Sequence, residues 1–159
     1  MAYSKLSVGD NVIQFELKDK DGNLRSLNEF KGKRIVLYFY PKDDTPGCTI
    51  EGKEFSSLSE EFKKLNCVII GISPDSPDSH AKFCAKHDLS IILLSDQDHK
   101  VSESYWVWGK KKFMGKEYFG IMRTTFLIGS DGKVKKIWED VKPEGHSKEV
   151  LEAVKSLVN

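Results

Sequence analysis

The stretch from Ile35 to Glu51 leaves this chain few ways to fold. Ile35-Val36-Leu37-Tyr38-Phe39-Tyr40 is an unbroken apolar and aromatic run, the pattern of a strand buried on both faces. Pro41-Lys42-Asp43-Asp44-Thr45-Pro46-Gly47 must then bend, because two prolines and a glycine cannot continue the strand. Beyond it the apolar spacing becomes helical: Phe55, Leu58, Phe62 and Leu65 share one face of a helix predicted to end near Asn66. Cys48 falls at the beginning of that helix. N–H groups there lack intrahelical partners and the helix dipole places partial positive charge, which stabilises a thiolate. Cys48 therefore reads as a reactive thiol rather than as a small packed hydrophobe.

The remaining elements fit around this unit. An N-terminal extension over residues 1–28 contains a small hairpin, in which Asn11–Leu17 meets Leu24–Leu27 across the turn signal Asp21-Gly22. Cys67–Ile72 is a second short buried strand. Ser76-Pro77 makes an N-cap and first-position pair for a helix carrying His80, Phe83, Cys84 and His87. Ile91–Leu94 is a third strand, followed by a short helix through Tyr105. Residues 106–120, aromatic and lysine-rich, read as a loop. Thr124–Ile128 and Lys133–Trp138 form a second hairpin across Gly129–Gly132, and a final amphipathic helix begins near His146 with Val150, Leu151, Val154, Leu157 and Val158 on its apolar face. Helices that separate the early strands, with a hairpin late, predict one α/β domain over residues 1–159: a mixed central sheet flanked by helices.

Composition sets limits on function. With 25 Lys and Arg against 24 Asp and Glu, the chain has a net charge of +1, so nothing draws it as a whole toward nucleic acid or an acidic membrane. Lys110-Lys111-Lys112 and Lys116 do lie among Trp106, Trp108, Phe113 and Tyr118, as in a base-stacking platform, but so short a cluster reads as an ordinary loop. Met1–Ser7 lacks the apolar core of a signal peptide. Three cysteines, an odd number, argue against a disulfide framework, and a reducing cytoplasm is expected. His80, Cys84 and His87 share a helical face, yet no further ligands complete a zinc set, so the histidines read as solvated. A thioredoxin-type dithiol would need a second cysteine three positions away, and those positions hold Thr45 and Glu51.

The motif Pro-x-x-x-Thr-x-x-Cys is met by Pro41, Thr45 and Cys48, and the longer run Thr45-Pro46-Gly47-Cys48-Thr49 with Glu51 extends it. With Trp108-Gly109, Gly115–Tyr118 and Gly120–Ile128, these residues make the chain resemble the peroxiredoxins of the Q-type, or bacterioferritin comigratory, branch along nearly its whole length. The resemblance implies a thioredoxin-like fold and thiol-dependent reduction of hydrogen peroxide and alkyl hydroperoxides. It makes Cys48 the peroxidatic residue, with Pro41, Thr45, Gly47 and Arg123 around the substrate. Arg123, permanently charged and forked, suits the negative charge that spreads over sulfur and oxygen as the O–O bond breaks. Thr45 would donate its hydroxyl to a peroxide oxygen, and Pro41 would shield the thiolate. Glu51 is expected to serve the first helical turn. Asp43 and Asp44 are expected to point outward, since carboxylates near Cys48 would oppose its ionisation.

Many Q-type members carry a resolving cysteine five residues after the peroxidatic one; here that position is Lys53. Others place it on the following helix, where this chain has Cys84. The resemblance thus implies an intramolecular Cys48–Cys84 disulfide, with local unwinding around both cysteines, reduced by thioredoxin or a similar dithiol. It implies no bound cofactor or metal, and a monomer.

Overall fold

The computed structural model describes residues 5–157. The first residues of the predicted extension, Met1–Ser4, and the apolar position Val158 lie outside them. Nine strands are formed among the described residues. Seven of them make the main sheet, in the order β2-β1-β5-β4-β3-β8-β9. Its centre is β3 (Arg34–Phe39), parallel to β4 (Cys67–Ser73), which is parallel in turn to β5 (Ile92–Ser95). The antiparallel β8 (Thr124–Ile128) and β9 (Val134–Trp138) extend one side. The N-terminal hairpin, β1 (Glu16–Asp19) and β2 (Leu24–Ser26), joins the other by pairing β1 with β5. Its turn is held by the Asp19 carboxylate, which accepts from the N–H groups of Asp21 and Asn23 at 3.0 and 3.1 Å. The expected mixed sheet with an N-terminal hairpin is therefore present, with strands shorter than the alternation suggested.

Alternation along β3 divides the core into two layers, as a pleated strand requires. Ile35, Leu37 and Phe39 face a layer built with Phe15, Leu27, Tyr105 and Phe126. Val36, Tyr38 and Tyr40 face the helical layer, which holds Cys48, Phe55, Phe62, Phe83, Cys84 and Val150. The helices are shared unequally. α1 (Pro46–Ser57), α2 (Ser59–Lys64), α3 (Pro77–His87) and α5 (His146–Lys155) bring their apolar residues to the second layer. The short α4 (Lys100–Ser104) and a 3₁₀ turn at Leu27–Phe30 cover the first.

Two expectations are corrected. The single helix running from Cys48 to Asn66 is broken at Leu58 into α1 and α2. At the break Ser57 and Ser59 donate their hydroxyls to the carbonyls of Glu54 and Ser56, each at 2.8 Å, bonds of the kind that compete with the helix ladder. Residues 106–120 are not a loop. They contain most of a two-stranded sheet, β6 (Trp108–Phe113) and β7 (Lys116–Ile121), paired in register from Trp108–Ile121 to Phe113–Lys116. Met114 and Gly115 close it with φ of 52° and 79°, the positive pair of a two-residue hairpin turn.

Where β4 passes Tyr38, only a glycine fits. A Cβ on Gly71 would lie 2.7 Å from Tyr38 Cζ and 2.9 Å from Leu93 Cδ2. Gly71→Ala is expected to cost about 1–3 kcal/mol by overpacking, read as a lowered urea midpoint. An unchanged midpoint would mean that Tyr38 is free to move aside.

Candidate active site

β3 delivers the chain to Pro41, and the bend that follows ends at Thr45, the N-cap of α1. Pro46 and Gly47 precede Cys48, so the cysteine occupies the third helical position. Its N–H is among those the helix leaves unpaired, and the first intrahelical bond is that from Thr49 N–H to Thr45 O at 2.9 Å. Cys48 is buried, with 2% of its surface exposed.

Arg123, on the short link between β7 and β8, reaches this helix start from far along the chain. One arm of its guanidinium, Nη2, donates to Cys48 Sγ at 3.3 Å, and the other, Nη1, donates to Glu51 Oε1 at 2.7 Å. Gly47 makes room for it: a Cβ there would sit 3.2 Å from Nη2 and 3.3 Å from Pro143 Cγ. The segment bearing Pro143 is tied down on both sides, by Val141 N–H to Arg123 O at 3.0 Å and by Gly145 N–H to Glu54 Oε1 at 2.9 Å. Sequence reasoning missed Pro143, and no local pattern announces it.

Glu51 does something other than serve the first turn. It is buried to 1% exposure and bonded to Arg123, while its second oxygen, Oε2, has no hydrogen-bond partner among the described residues. Burial pushes its carboxyl up to about 7, against the pull of Arg123. A second cation also belongs here. Lys111, half-buried on β6, donates to Ile121 O at 2.8 Å. Burial and the nearby Arg123 hold its ammonium below the usual lysine range, while the charge of Cys48 pulls it the other way.

Thr45 is only partly placed as expected. It caps the helix with its backbone, but its hydroxyl donates to Lys42 O at 2.7 Å, so in this state the oxygen can accept and not donate. Pro41 is half-buried at the strand end. Asp44 is exposed as expected, but Asp43 turns inward and is buried. Its carboxylate accepts from Tyr40 OH at 2.6 Å and Ser79 OH at 2.8 Å and lies 2.7 Å from His80 Nδ1. His80 is correspondingly fully buried, not solvated. A buried carboxyl group is tolerated when it is hydrogen-bonded, and the Tyr40 and Ser79 hydroxyls bond one oxygen each.

All three cysteines are free thiols. Cys84, buried on α3, shares the helical core layer with Cys48. Burial raises its thiol, Asp43 adds to the effect, and Lys20 opposes it. Cys67 opens β4, and burial pushes its thiol up to about 12, as befits a core residue. Among the described residues no group of three or more His, Cys, Asp and Glu is placed to hold a metal ion, and no helix is long and apolar enough to cross a membrane.

Comparison with known proteins places this geometry. The model of the AhpC/TSA family matches residues 8–137. Peroxiredoxin Bcp of Bacillus subtilis is 47% identical over 152 residues, covering 96% of this chain and 97% of its own. The solved structure of peroxiredoxin Q from Xanthomonas campestris superposes with a TM-score of 0.86 at 41% identity, covering 91% of this chain and 92% of that one. A structure of the X. campestris bacterioferritin comigratory protein, described in terms of alkyl peroxide reduction and a trapped intermediate/ligand complex, gives 0.85 at 38% identity, covering 92% and 98%. A thioredoxin-like sheet, a cysteine at the start of α1 under an arginine fork, and relatives of this similarity over almost their full length agree. The chain belongs to the AhpC/TSA family of peroxiredoxins, in its Q-type branch, and is a thiol peroxidase.

Proposed function

We propose that Cys48 reduces hydrogen peroxide and alkyl hydroperoxides, that Cys84 resolves the product, and that thioredoxin or a similar dithiol protein closes the cycle. The observation that carries the reading is the 3.3 Å bond from Arg123 Nη2 to Cys48 Sγ, with the guanidinium braced by Glu51. Cys48 as thiolate attacks one peroxide oxygen. The S–O bond forms as the O–O bond breaks, and the departing oxygen takes a proton to leave as water or an alcohol. Cys48 is left as a sulfenic acid. Arg123 acts where charge develops, and a preorganised donor in a buried site is worth far more than one in water. Gly47 lets the guanidinium approach, Pro41 shields the sulfur, and Thr45 offers an acceptor to a peroxide O–H. A cavity of about 640 Å³ borders Arg123 and is lined by Tyr105, Trp106, Val107, Met122 and Phe126, among others. The apolar part of this lining, which stands beside the charged Lys5, Lys111, Glu139 and Asp140, suits the chain of an alkyl hydroperoxide.

In the second step the Cys84 thiolate attacks Cys48 Sγ, the S–O bond breaks, and hydroxide leaves with a proton as water. The disulfide is returned to two thiols by exchange with a dithiol. An intramolecular disulfide needs no second subunit, so we take the working form to be a monomer in a reducing cytoplasm. A coupled assay with peroxide, thioredoxin, its reductase and NADPH tests the whole cycle. Steady NADPH oxidation is expected, and arrest after one equivalent would instead mark a redox sensor.

Cys84→Ser isolates the second step. Peptide mapping after one equivalent of peroxide is expected to show no intramolecular disulfide and a Cys48 that proceeds to sulfinic acid under excess peroxide. A disulfide that survives in Cys84→Ser but disappears in Cys67→Ser would assign resolution to Cys67.

A further inference from the structure

Two consecutive aspartates of the Cys48 loop grip the two ends of the Cys84 helix. Toward its start, Asp43 Oδ2 accepts from Ser79 OH at 2.8 Å and lies 2.7 Å from His80 Nδ1. Asp43 Oδ1 accepts from Tyr40 OH at 2.6 Å, and the Asp43 N–H donates to Asp75 Oδ2 at 2.8 Å. His80 Nε2 faces Leu94 O at 3.1 Å. A carbonyl can only accept, so Nε2 carries hydrogen and the ring is fixed between β5 and the loop. At the end of α3, Asp44 Oδ2 accepts from Lys86 Nζ at 2.7 Å and Asp44 Oδ1 lies 2.8 Å from His87 Nε2. Cys84 sits between the two grips, one turn after His80 and just before Lys86 and His87.

We propose that Asp43 and Asp44 form a clasp that holds α3 closed over the Cys48 loop and thereby sets the rate at which the sulfenic acid is converted to disulfide. The proposal rests on Cys84 being the resolving residue. A disulfide needs Cα atoms about 4.4–6.8 Å apart, and each cysteine here is a free thiol held in its own helix by core packing. To bring Cys84 Sγ onto Cys48 Sγ, α3 must loosen locally. Loosening its first turns separates Ser79 and His80 from a buried carboxylate; loosening its last turn separates Lys86 and His87 from an exposed one. The inner grip is the stronger, because bonds to a buried charge are worth more than exposed ion pairs. While the clasp is shut the sulfenic acid waits, and a second peroxide can oxidise it to sulfinic acid instead. The clasp therefore governs two competing outcomes through one opening equilibrium.

The test uses the full chain, fully reduced, mixed rapidly with hydrogen peroxide and followed by quenching and mass spectrometry. Neither Asp44→Asn nor Ser79→Ala touches the peroxide-binding residues, so consumption of the Cys48 thiol should proceed at the parent rate in both. Disulfide formation should accelerate about twofold to fivefold in Asp44→Asn, the scale of a lost exposed pair. It should accelerate about tenfold or more in Ser79→Ala, which removes a bond to a buried carboxylate. The ratio of sulfinic acid to disulfide at high peroxide should fall in the same order, and hydrogen exchange over residues 80–87 should quicken while that of α5 does not. An unchanged or slower disulfide step in both variants, with the Cys48–Cys84 disulfide still formed, overturns the clasp. A disulfide that does not involve Cys84 overturns the reading beneath it.

Discussion

Replacing Cys48 with serine is expected to leave the protein folded and to abolish peroxide reduction. The two side chains are nearly the same size, and the site is buried, so the core layer around Tyr38 and Phe55 should persist. Arg123 Nη2 still finds an acceptor in a hydroxyl oxygen. What disappears is the polarisable sulfur: an alcohol has no appreciable anion at neutral pH, and oxygen cannot take up the peroxide oxygen as sulfur does. Turnover should fall by at least about 10⁴-fold, the scale on which removing an attacking atom acts. Direct loss of hydrogen peroxide measures it, with circular dichroism as the check on folding. Cys67→Ser is the control. That thiol, pushed up to about 12 by burial, is not an available nucleophile, and activity within about twofold of the parent is expected. Substantial activity in Cys48→Ser would show that another group attacks the peroxide.

What could be read beforehand depended on how local the determining forces are. The strand at 35–40, the bend after it and the Ser76-Pro77 helix start are written in neighbouring residues, and the structure has them close to where they were expected, with Ser76 accepting from Ser79 N–H at 3.1 Å. Arg123 was a different matter. Nothing in the spacing of residues 75 positions apart predicts that they touch; the motif resemblance supplied it, and the structure shows the 3.3 Å bond. Charged residues misled in the other direction. Asp43 and His80 each look solvated in isolation, and their burial follows from one another, because a carboxylate and an imidazole that meet can enter the core together. The β6–β7 hairpin was missed because its lysines and glycines mask any alternation, and its strands gain their pairing mainly from each other. Lys111 escaped notice as a second cation near Cys48 for the same reason.

Removing the guanidinium should be the next most damaging change. Arg123→Ala is expected to lower the second-order rate with hydrogen peroxide by about 10²–10³-fold, as deletion of a donor aimed at developing charge does elsewhere. Arg123→Lys should recover only part of this, since an ammonium lacks the rigid planar fork whose two nitrogens reach Sγ and Glu51 Oε1 at 3.3 and 2.7 Å. Stopped-flow thiol consumption measures both, and a loss below about threefold in Arg123→Ala would remove the arginine from the chemical step. The carboxylate behind it carries a separate signature. Burial places Glu51 at about 7 in the folded protein against an ordinary 4.5. Between those values the folded state holds a proton that the unfolded state has released, so stability is complete below about 4.5 and is lost as pH rises through about 7. The loss amounts to about 3 kcal/mol at most, one pKa unit being worth about 1.4 kcal/mol. Glu51→Gln should flatten that part of the profile: urea midpoints at pH 5 and pH 8 should differ less in the variant than in the parent. If the two profiles keep the same slope, the buried carboxyl is not the group that titrates. A flattened profile with a slowed peroxide step would mean that the same side chain which weakens the fold at neutral pH is what keeps the guanidinium aimed at the sulfur.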